Sequence, residues 1–318
     1  MKKTVLVSGG NGFIGKRLTD ALLKEGYHVR IVSRRTPKNK PVNPNVSIVK
    51  ADYQDCASLQ RAMEGCSMVY HLAAAIFGYK YDDFAKANTR ATQNMVCAAN
   101  LTPDLERFVY VSSLAASGYA QSPDRPRTED MEPKPVSDYG ITKLGGEKAV
   151  QTLKPSVKWT IVRPPIVYGK NDSGVSKIAA WVKRGLMVNT SGKGLFSFVY
   201  VDDLVRALTD IPKTEGTEGQ IFFICEEKNY PWPEFIEKMA KAMGVKKPFM
   251  PNAPVWMLKL AAALYSLGAR LTGAQPALNY DKVKEAVVPG HWICSSEKWR
   301  SLTGQKFTPL DEGLKKSF

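Results

Sequence analysis

Three glycines spaced by three, set between a short apolar run and a helical stretch, restrict what the start of this chain can build. The run is Thr4-Val-Leu-Val-Ser8, the glycines are Gly9, Gly12 and Gly15, and the helical stretch covers Phe13 to Glu25. Strand, tight turn and helix in that order open a dinucleotide-binding unit. Glycine lets the backbone approach a pyrophosphate, and the first turn of the helix offers N–H groups with no partner inside the helix. Further apolar runs at His28–Ser33, Val46–Lys50, Met68–Leu72, Arg107–Val111 and Lys158–Val162 read as strands. The expected fold class is α/β, with a doubly wound parallel sheet.

A second constellation lies downstream. In Tyr139-Gly-Ile-Thr-Lys143 the tyrosine and lysine share a helix face, one turn apart. An ammonium beside a phenol favours the phenolate and lowers its pKa from about 10. The product is a proton donor and acceptor that works near neutral pH. Ser112-Ser113 follow the run Arg107–Val111. They therefore sit at the carboxyl end of a strand, where open parallel sheets hold their ligands.

The segments Val7-Ser8-Gly9-Gly10-Asn11-Gly12-Phe13-Ile14-Gly15, His71-Leu72-Ala73-Ala74, Val111-Ser112-Ser113, Tyr139 to Lys143, Arg163-Pro164-Pro165-Ile166-Val167-Tyr168-Gly169 and Val199-Tyr200-Val201-Asp202-Asp203 carry a resemblance. In them the chain resembles the short-chain dehydrogenase/reductase superfamily, in its extended, epimerase/dehydratase-like branch. It is similar to 3β-hydroxysteroid dehydrogenases and dihydroflavonol-type reductases. The resemblance implies a Rossmann domain over residues 1–165, with core strands also from about 195–228. Residues 166–318 would be mainly a smaller substrate-binding lobe.

The resemblance implies that Ser113, Tyr139 and Lys143 are catalytic. Tyr139 would move the proton, Lys143 would hold the nicotinamide ribose and the tyrosine, and Ser113, rather than Ser112, would bind the reacting oxygen. The implied cofactor site takes Gly9, Gly12, Phe13, Ile14 and Gly15 from the turn, and Arg34 and Arg35 from the end of the second strand. Asp52, Tyr53, Leu72, Ala73 and Ala74 would come from the next two strand ends, with Asn88, Lys143, Pro164 and Ile166 completing it. Asp52 would meet the adenine amine, and the two alanines would leave room for the cofactor. Asn88 would support the site by hydrogen bonding, or serve as a buried polar support. His71 is expected to be structural. No metal site is expected.

A strict NAD enzyme carries an acidic residue after the second strand, for the ribose hydroxyls. Arg34-Arg35 stand there instead. Guanidiniums suit a 2′-phosphate, so the expected cofactor is NADP ahead of NAD. Nucleotide-sugar members of the branch often carry an arginine that clamps a diphosphate, and Phe196 occupies about that place. A phenyl ring cannot supply those bidentate contacts. The expected activity is hydride transfer between NADP(H) and an apolar alcohol or ketone. One alternative is a nucleotide-sugar epimerase or dehydratase. Another is an NADP-binding regulatory or assembly protein without catalysis, against which the complete Ser-Tyr-Lys set argues.

The net charge of +15 is spread along the chain and meets no aromatic-basic repeat. We read it as a solvated basic surface, with a phosphorylated cofactor or a membrane surface as functional alternatives. Nucleic acid is not an expected partner. Cys56, Cys66, Cys97, Cys225 and Cys294 lack metal-type spacing and are expected as reduced thiols of a cytoplasmic enzyme. Met1-Lys2-Lys3-Thr4 does not read as a signal peptide, and no apolar run predicts a transmembrane helix. From Pro254 to Leu271, Met257, Leu260, Leu264, Leu267 and Leu271 form one apolar helix face, widened by Trp256 and Leu258. The expectation is a buried helix of the substrate lobe. A peripheral membrane contact aided by Lys259 and Arg270 is the alternative. The expected partner is a small-molecule substrate, and the resemblance implies a homodimer through a two-helix bundle.

Overall fold

Strands buried on both faces need no alternation of polar and apolar residues, and the central runs of this chain show why they read as continuous apolar segments. The computed structural model describes all residues except 1–2, 36–41, 190–193, 253, 255, 259, 261 and 265–279. The first strands are β1 (Thr4–Ser8), β2 (His28–Ser33) and β3 (Val46–Lys50). The next are β4 (Cys66–His71), β5 (Arg107–Val111) and β6 (Lys158–Arg163). Every residue of β5 is buried, whereas β3 lies at a sheet edge and is partly exposed throughout.

Helices α1 (Phe13–Lys24), α2 (Cys56–Met63), α3 (Tyr81–Ala85) and α4 (Ala91–Leu101) connect the first strands, with a π-helical turn at Lys86–Arg90. Beyond β5 come α5 (Leu114–Ser117) and α6 (Asp138–Val150). Ser113 and Ser137 each accept a hydrogen bond from a first-turn N–H of α5 and α6, which fixes where those helices start.

The later elements are β7 (Ile166–Tyr168), α7 (Ser173–Lys183), β8 (Leu195–Phe196), β9 (Phe198–Tyr200) and α8 (Val201–Asp210). They are followed by β10 (Gln220–Phe223), β11 (Tyr230–Pro231) and α9 (Trp232–Ala242). Of the stretch 195–228, only β10 enters the main sheet, beside β6. The two short strands β8 and β9 pair instead with β11 and β7.

The main sheet is parallel, in the order β10-β6-β5-β4-β1-β2-β3. The chain steps outward from β1 to β3, then returns to β4 on the other side of β1. This reversal leaves a crevice between the carboxyl ends of β1 and β4, where doubly wound sheets bind ligands. Successive side chains of β1 serve opposite cores: Val5 and Val7 pack with Leu18 and Leu22 of α1, and Leu6 packs with Leu59 of α2 and Met95 of α4.

Two expectations need correction. Cys56 and Cys97 form a disulfide, with their Cα atoms 6.0 Å apart, so the five cysteines are not all free thiols. Packing of α2 against α4 brings together residues 41 positions apart, which no local spacing reveals. Cys66, Cys225 and Cys294 are free and buried. The apolar stripe after Pro254 is also not a buried face. Met257, Leu260 and Leu264 are exposed, while Leu258 and Ala262 pack inward with Val283. Lys259, Leu267, Arg270 and Leu271 lie outside the described residues.

Candidate active site

The glycine turn closes against the end of β4. Gly12 N–H donates to Gly9 O at 2.9 Å, and Gly9 has φ +72°, a conformation that disfavours other residues. A methyl group on Gly15 would stand 2.2 Å from Gly9 O, and one on Gly9 would stand 2.9 Å from Ala73 N. Bare backbone is therefore required at both positions. Phe13 and Ile14, at the start of α1, are partly buried against the core behind the turn.

A cleft of about 1130 Å³ opens at this switch point. Its wall brings together Gly9, Gly12, Arg34, Arg35, Asp52, Tyr53, Leu72, Ala73 and Ala74 from four strand ends. Asp52 Oδ1 accepts the N–H of Gln54 at 2.9 Å, which fixes the turn after β3. Burial pushes the Tyr53 phenol up to about 12, although Arg34 works against it. The hydroxyl of Ser33 donates to Arg35 O at 2.8 Å and steadies the backbone that carries the two arginines. Both are exposed, and among the described residues neither forms an ion pair. Bare glycines, a helix N-terminus and a cleft at the sheet reversal fit a nicotinamide dinucleotide.

Behind the cleft, His71 is fully buried and wired into the turn. Its Nδ1 lies 2.6 Å from Ser8 Oγ and its Nε2 lies 2.9 Å from Thr92 Oγ1. The Thr92 hydroxyl donates to Asn88 O, so it accepts from Nε2–H, and Nδ1 accepts from Ser8. Ser8 Oγ in turn accepts the N–H groups of Leu72 and Ala73. Burial, aided by the charge of Lys143, pushes the imidazole down to about 3. The unfolded chain then takes up the proton first. This stabilising contribution is complete above His71's ordinary 6.5 and is lost as pH falls from there toward about 3. Nuclear magnetic resonance of the folded protein should show a His71 ring that stays neutral from about pH 7 to about pH 4. A midpoint near the ordinary value would overturn this account.

Asn88 sits in the π-helical turn and is buried. Its Oδ1 accepts Ala75 N–H at 2.8 Å, and its Nδ2 donates to Ala75 O at 3.1 Å and Thr142 Oγ1 at 3.0 Å. One amide thus ties the loop after β4 to the residue before Lys143. Pro164 O accepts Leu114 N–H at 2.9 Å, which joins the end of β6 to α5, and Ile166 is partly buried in β7.

The Ser113 hydroxyl is near enough to Tyr139 to act on its pKa, and Ser112 donates elsewhere, to Glu147. Burial raises the Tyr139 pKa, while Lys282 and the neighbouring Ser113 hydroxyl lower it. The cation against this phenol is Lys282, whose Nζ lies 4.9 Å from the ring centroid. Lys143 turns inward instead. Its Nζ donates to Val111 O at 2.7 Å and lies 4.2 Å from the Tyr110 ring centroid. Burial lowers Lys143 to about 7, and Glu147 opposes that shift. The helix face shared by Tyr139 and Lys143 therefore does not make Lys143 the cation that acts on the tyrosine here.

Three further groups support this corner. The Asp281 carboxylate accepts the N–H groups of Asp138 at 2.6 Å and Tyr139 at 3.2 Å, where it also favours the positive end of α6. Ser137 donates to Glu285 at 2.6 Å. Glu147 and Arg163 form a bidentate pair at 2.9 and 2.6 Å, with both side chains 2% exposed. Glu147 could have been anticipated, since it continues the spacing of four from Tyr139 to Lys143. Asp281, Lys282 and Glu285 carry no such signal, because they arrive from the helix Tyr280–Ala286.

The NAD dependent epimerase/dehydratase family matches residues 5–225. An uncharacterised protein of Sinorhizobium fredii is 34% identical over 222 residues, covering 67% of this chain and 54% of that one, so the chain spans about half of that relative's length. A ceramide reductase of Caulobacter vibrioides is 27% identical over 315 residues, covering 96% of this chain and 91% of the reductase. Among solved structures, MoeE5 in complex with UDP-glucuronic acid and NAD superposes with a TM-score of 0.76 at 24% identity, covering 99% and 97% of the two chains. That likeness concerns the fold. The match over the glycine turn, the strand-end serines and the tyrosine-lysine helix leads to one assignment: this chain is an enzyme of the NAD dependent epimerase/dehydratase family, in the extended branch of the short-chain dehydrogenases/reductases.

Proposed function

We propose that the chain is an NADP-dependent oxidoreductase that interconverts an alcohol and a ketone on an apolar substrate, with Ser113, Tyr139 and Lys143 as its catalytic residues. The observation that carries the substrate class is the seat of Phe196. Its ring lies 5.8 Å from that of Trp232, its backbone bridges to Trp292, and Trp292 lies 6.3 Å from Tyr119. A phenyl ring packed among aromatic neighbours offers no bidentate donor to a diphosphate, which favours an apolar substrate. The ceramide reductase relative supports the same class.

A bound nicotinamide supplies the hydride. The glycine turn and the N-terminus of α1 would hold the pyrophosphate, Asp52 the adenine and Lys143 the ribose. Arg34 and Arg35 would pair with a 2′-phosphate, which a carboxylate at that place would repel. Tyr139 keeps its proton at neutral pH because burial raises its pKa, and that suits donation to the oxygen of a ketone undergoing reduction. Ser113 donates to the same oxygen and stabilises its developing charge.

Fluorescence titration of the purified protein with NADPH and NADH, beside Arg34→Ala/Arg35→Ala, tests the reading. NADPH should bind tighter than NADH by roughly tenfold or more, and the double variant should lose that margin. Equal or tighter NADH binding, or a cofactor that copurifies and does not exchange, would instead favour a nucleotide-sugar epimerase.

A further inference from the structure

Two segments of this basic chain contain no carboxylate, residues 173–201 and residues 241–280. At the chain average of 30 acids in 318 residues, roughly one position in ten would be acidic. The fold joins these two segments. Phe249 N–H donates to Gly185 O at 2.9 Å, Met187 N–H to Phe249 O at 3.0 Å, and Asn189 N–H to Pro251 O at 3.0 Å.

The joined segments expose large apolar side chains. Leu186 and Phe249 are bridge partners, 42% and 71% exposed. Trp181 projects outward from α7, whose Val175, Ala179 and Val182 face the core. Four residues beyond Asn252, Trp256, Leu260 and Leu264 recur every fourth position and are 65%, 53% and 61% exposed. Single exposed apolar residues need no explanation, but several carried by two joined segments mark an interaction surface. Exposed cations accompany them: Lys177, Lys183, Arg184, Lys241, Lys246 and Lys247. The Arg184 guanidinium lies 5.3 Å from the Trp181 ring centroid, and Lys247 also meets Glu237 at 2.6 Å.

Charge selects the occupant. A second copy docked through the same face would set cations against cations, since neither segment holds a carboxylate. An anionic bilayer complements the set: tryptophans suit the headgroup level, Leu and Phe the acyl boundary, and Lys and Arg the lipid phosphates. We propose that this face docks on the surface of an anionic lipid bilayer. The contact is peripheral, since among the described residues no helix is long and apolar enough to cross a membrane. It stands independently of the reaction proposed above.

The test is co-sedimentation of the full chain with vesicles of phosphatidylcholine alone and of phosphatidylcholine with about a third phosphatidylglycerol. The wild type should pellet with the anionic vesicles and be released by salt. Trp181→Ala/Phe249→Ala/Trp256→Ala and Lys183→Gln/Arg184→Gln/Lys246→Gln should each weaken partitioning by roughly tenfold or more. Acyl-brominated lipid in the same vesicles should quench tryptophan emission of the wild type, a readout that does not depend on any variant folding. The proposal is overturned if the wild type stays in the supernatant, binds neutral vesicles equally well, or shows no quenching. It is equally overturned if the aromatic variant instead dissociates a dimer in sedimentation equilibrium.

Discussion

Tyr139→Phe should lower turnover by about 10²- to 10⁴-fold, the usual contribution of a positioned proton donor. Dinucleotide affinity should change by less than about twofold, because the ring stays and only the hydroxyl is lost. The cleft that gathers Gly9, Arg34 and Asp52 is built on other strand ends. In the wild type, burial keeps the phenol protonated above its ordinary range. Reduction should therefore persist at mildly alkaline pH and fail only as pH rises through that raised pKa. Steady-state rates of both proteins over a pH series, with NADPH affinity measured beside them, provide the check. Comparable turnover at unchanged affinity would remove Tyr139 from the chemistry.

Glu147→Gln should destabilise the fold by about 3–5 kcal/mol, because it leaves the Arg163 guanidinium charged, buried and without its carboxylate. The pair is almost closed to solvent, with both side chains 2% exposed. Ser112 also donates to this carboxylate, and Arg163 lies 5.6 Å from the Phe223 ring centroid, so few waters could take over. Replacing both partners by methionine should cost much less than the single change, since no lone charge remains. Urea denaturation of the three proteins checks this, and a loss under about 1 kcal/mol in Glu147→Gln would refute it. Glu147 also raises the pKa of the buried Lys143, so the variant that still folds should hold a neutral Lys143 at lower pH.

Much of the scaffold was readable from local pattern. Strands β1, β2, β3 and β5 begin and end where their apolar runs do; β1 and β5 do so because buried parallel strands carry that pattern continuously. The glycine turn was equally legible, since Gly15 is required by close backbone approach to Gly9 within one strand-turn-helix unit, although Gly9 is held bare by Ala73 at the end of β4.

Contacts between distant elements were not readable. Lys282 and Asp281 reach Tyr139 from more than 140 residues away, at distances that only the docking of the helix Tyr280–Ala286 creates. The same holds for Cys56 and Cys97, joined by the packing of α2 on α4. The stripe at Met257, Leu260 and Leu264 shows the limit most directly. Periodicity states which residues share a helix face, but whether that face looks inward depends on what packs beside it, and here it looks out. The sequence by itself determined the strand order's local units, the glycine turn and the residues gathered at the strand ends. Only the tertiary structure decided which cation meets the tyrosine, which cysteines pair and which apolar face meets solvent, because each depends on the relative placement of elements far apart in the chain.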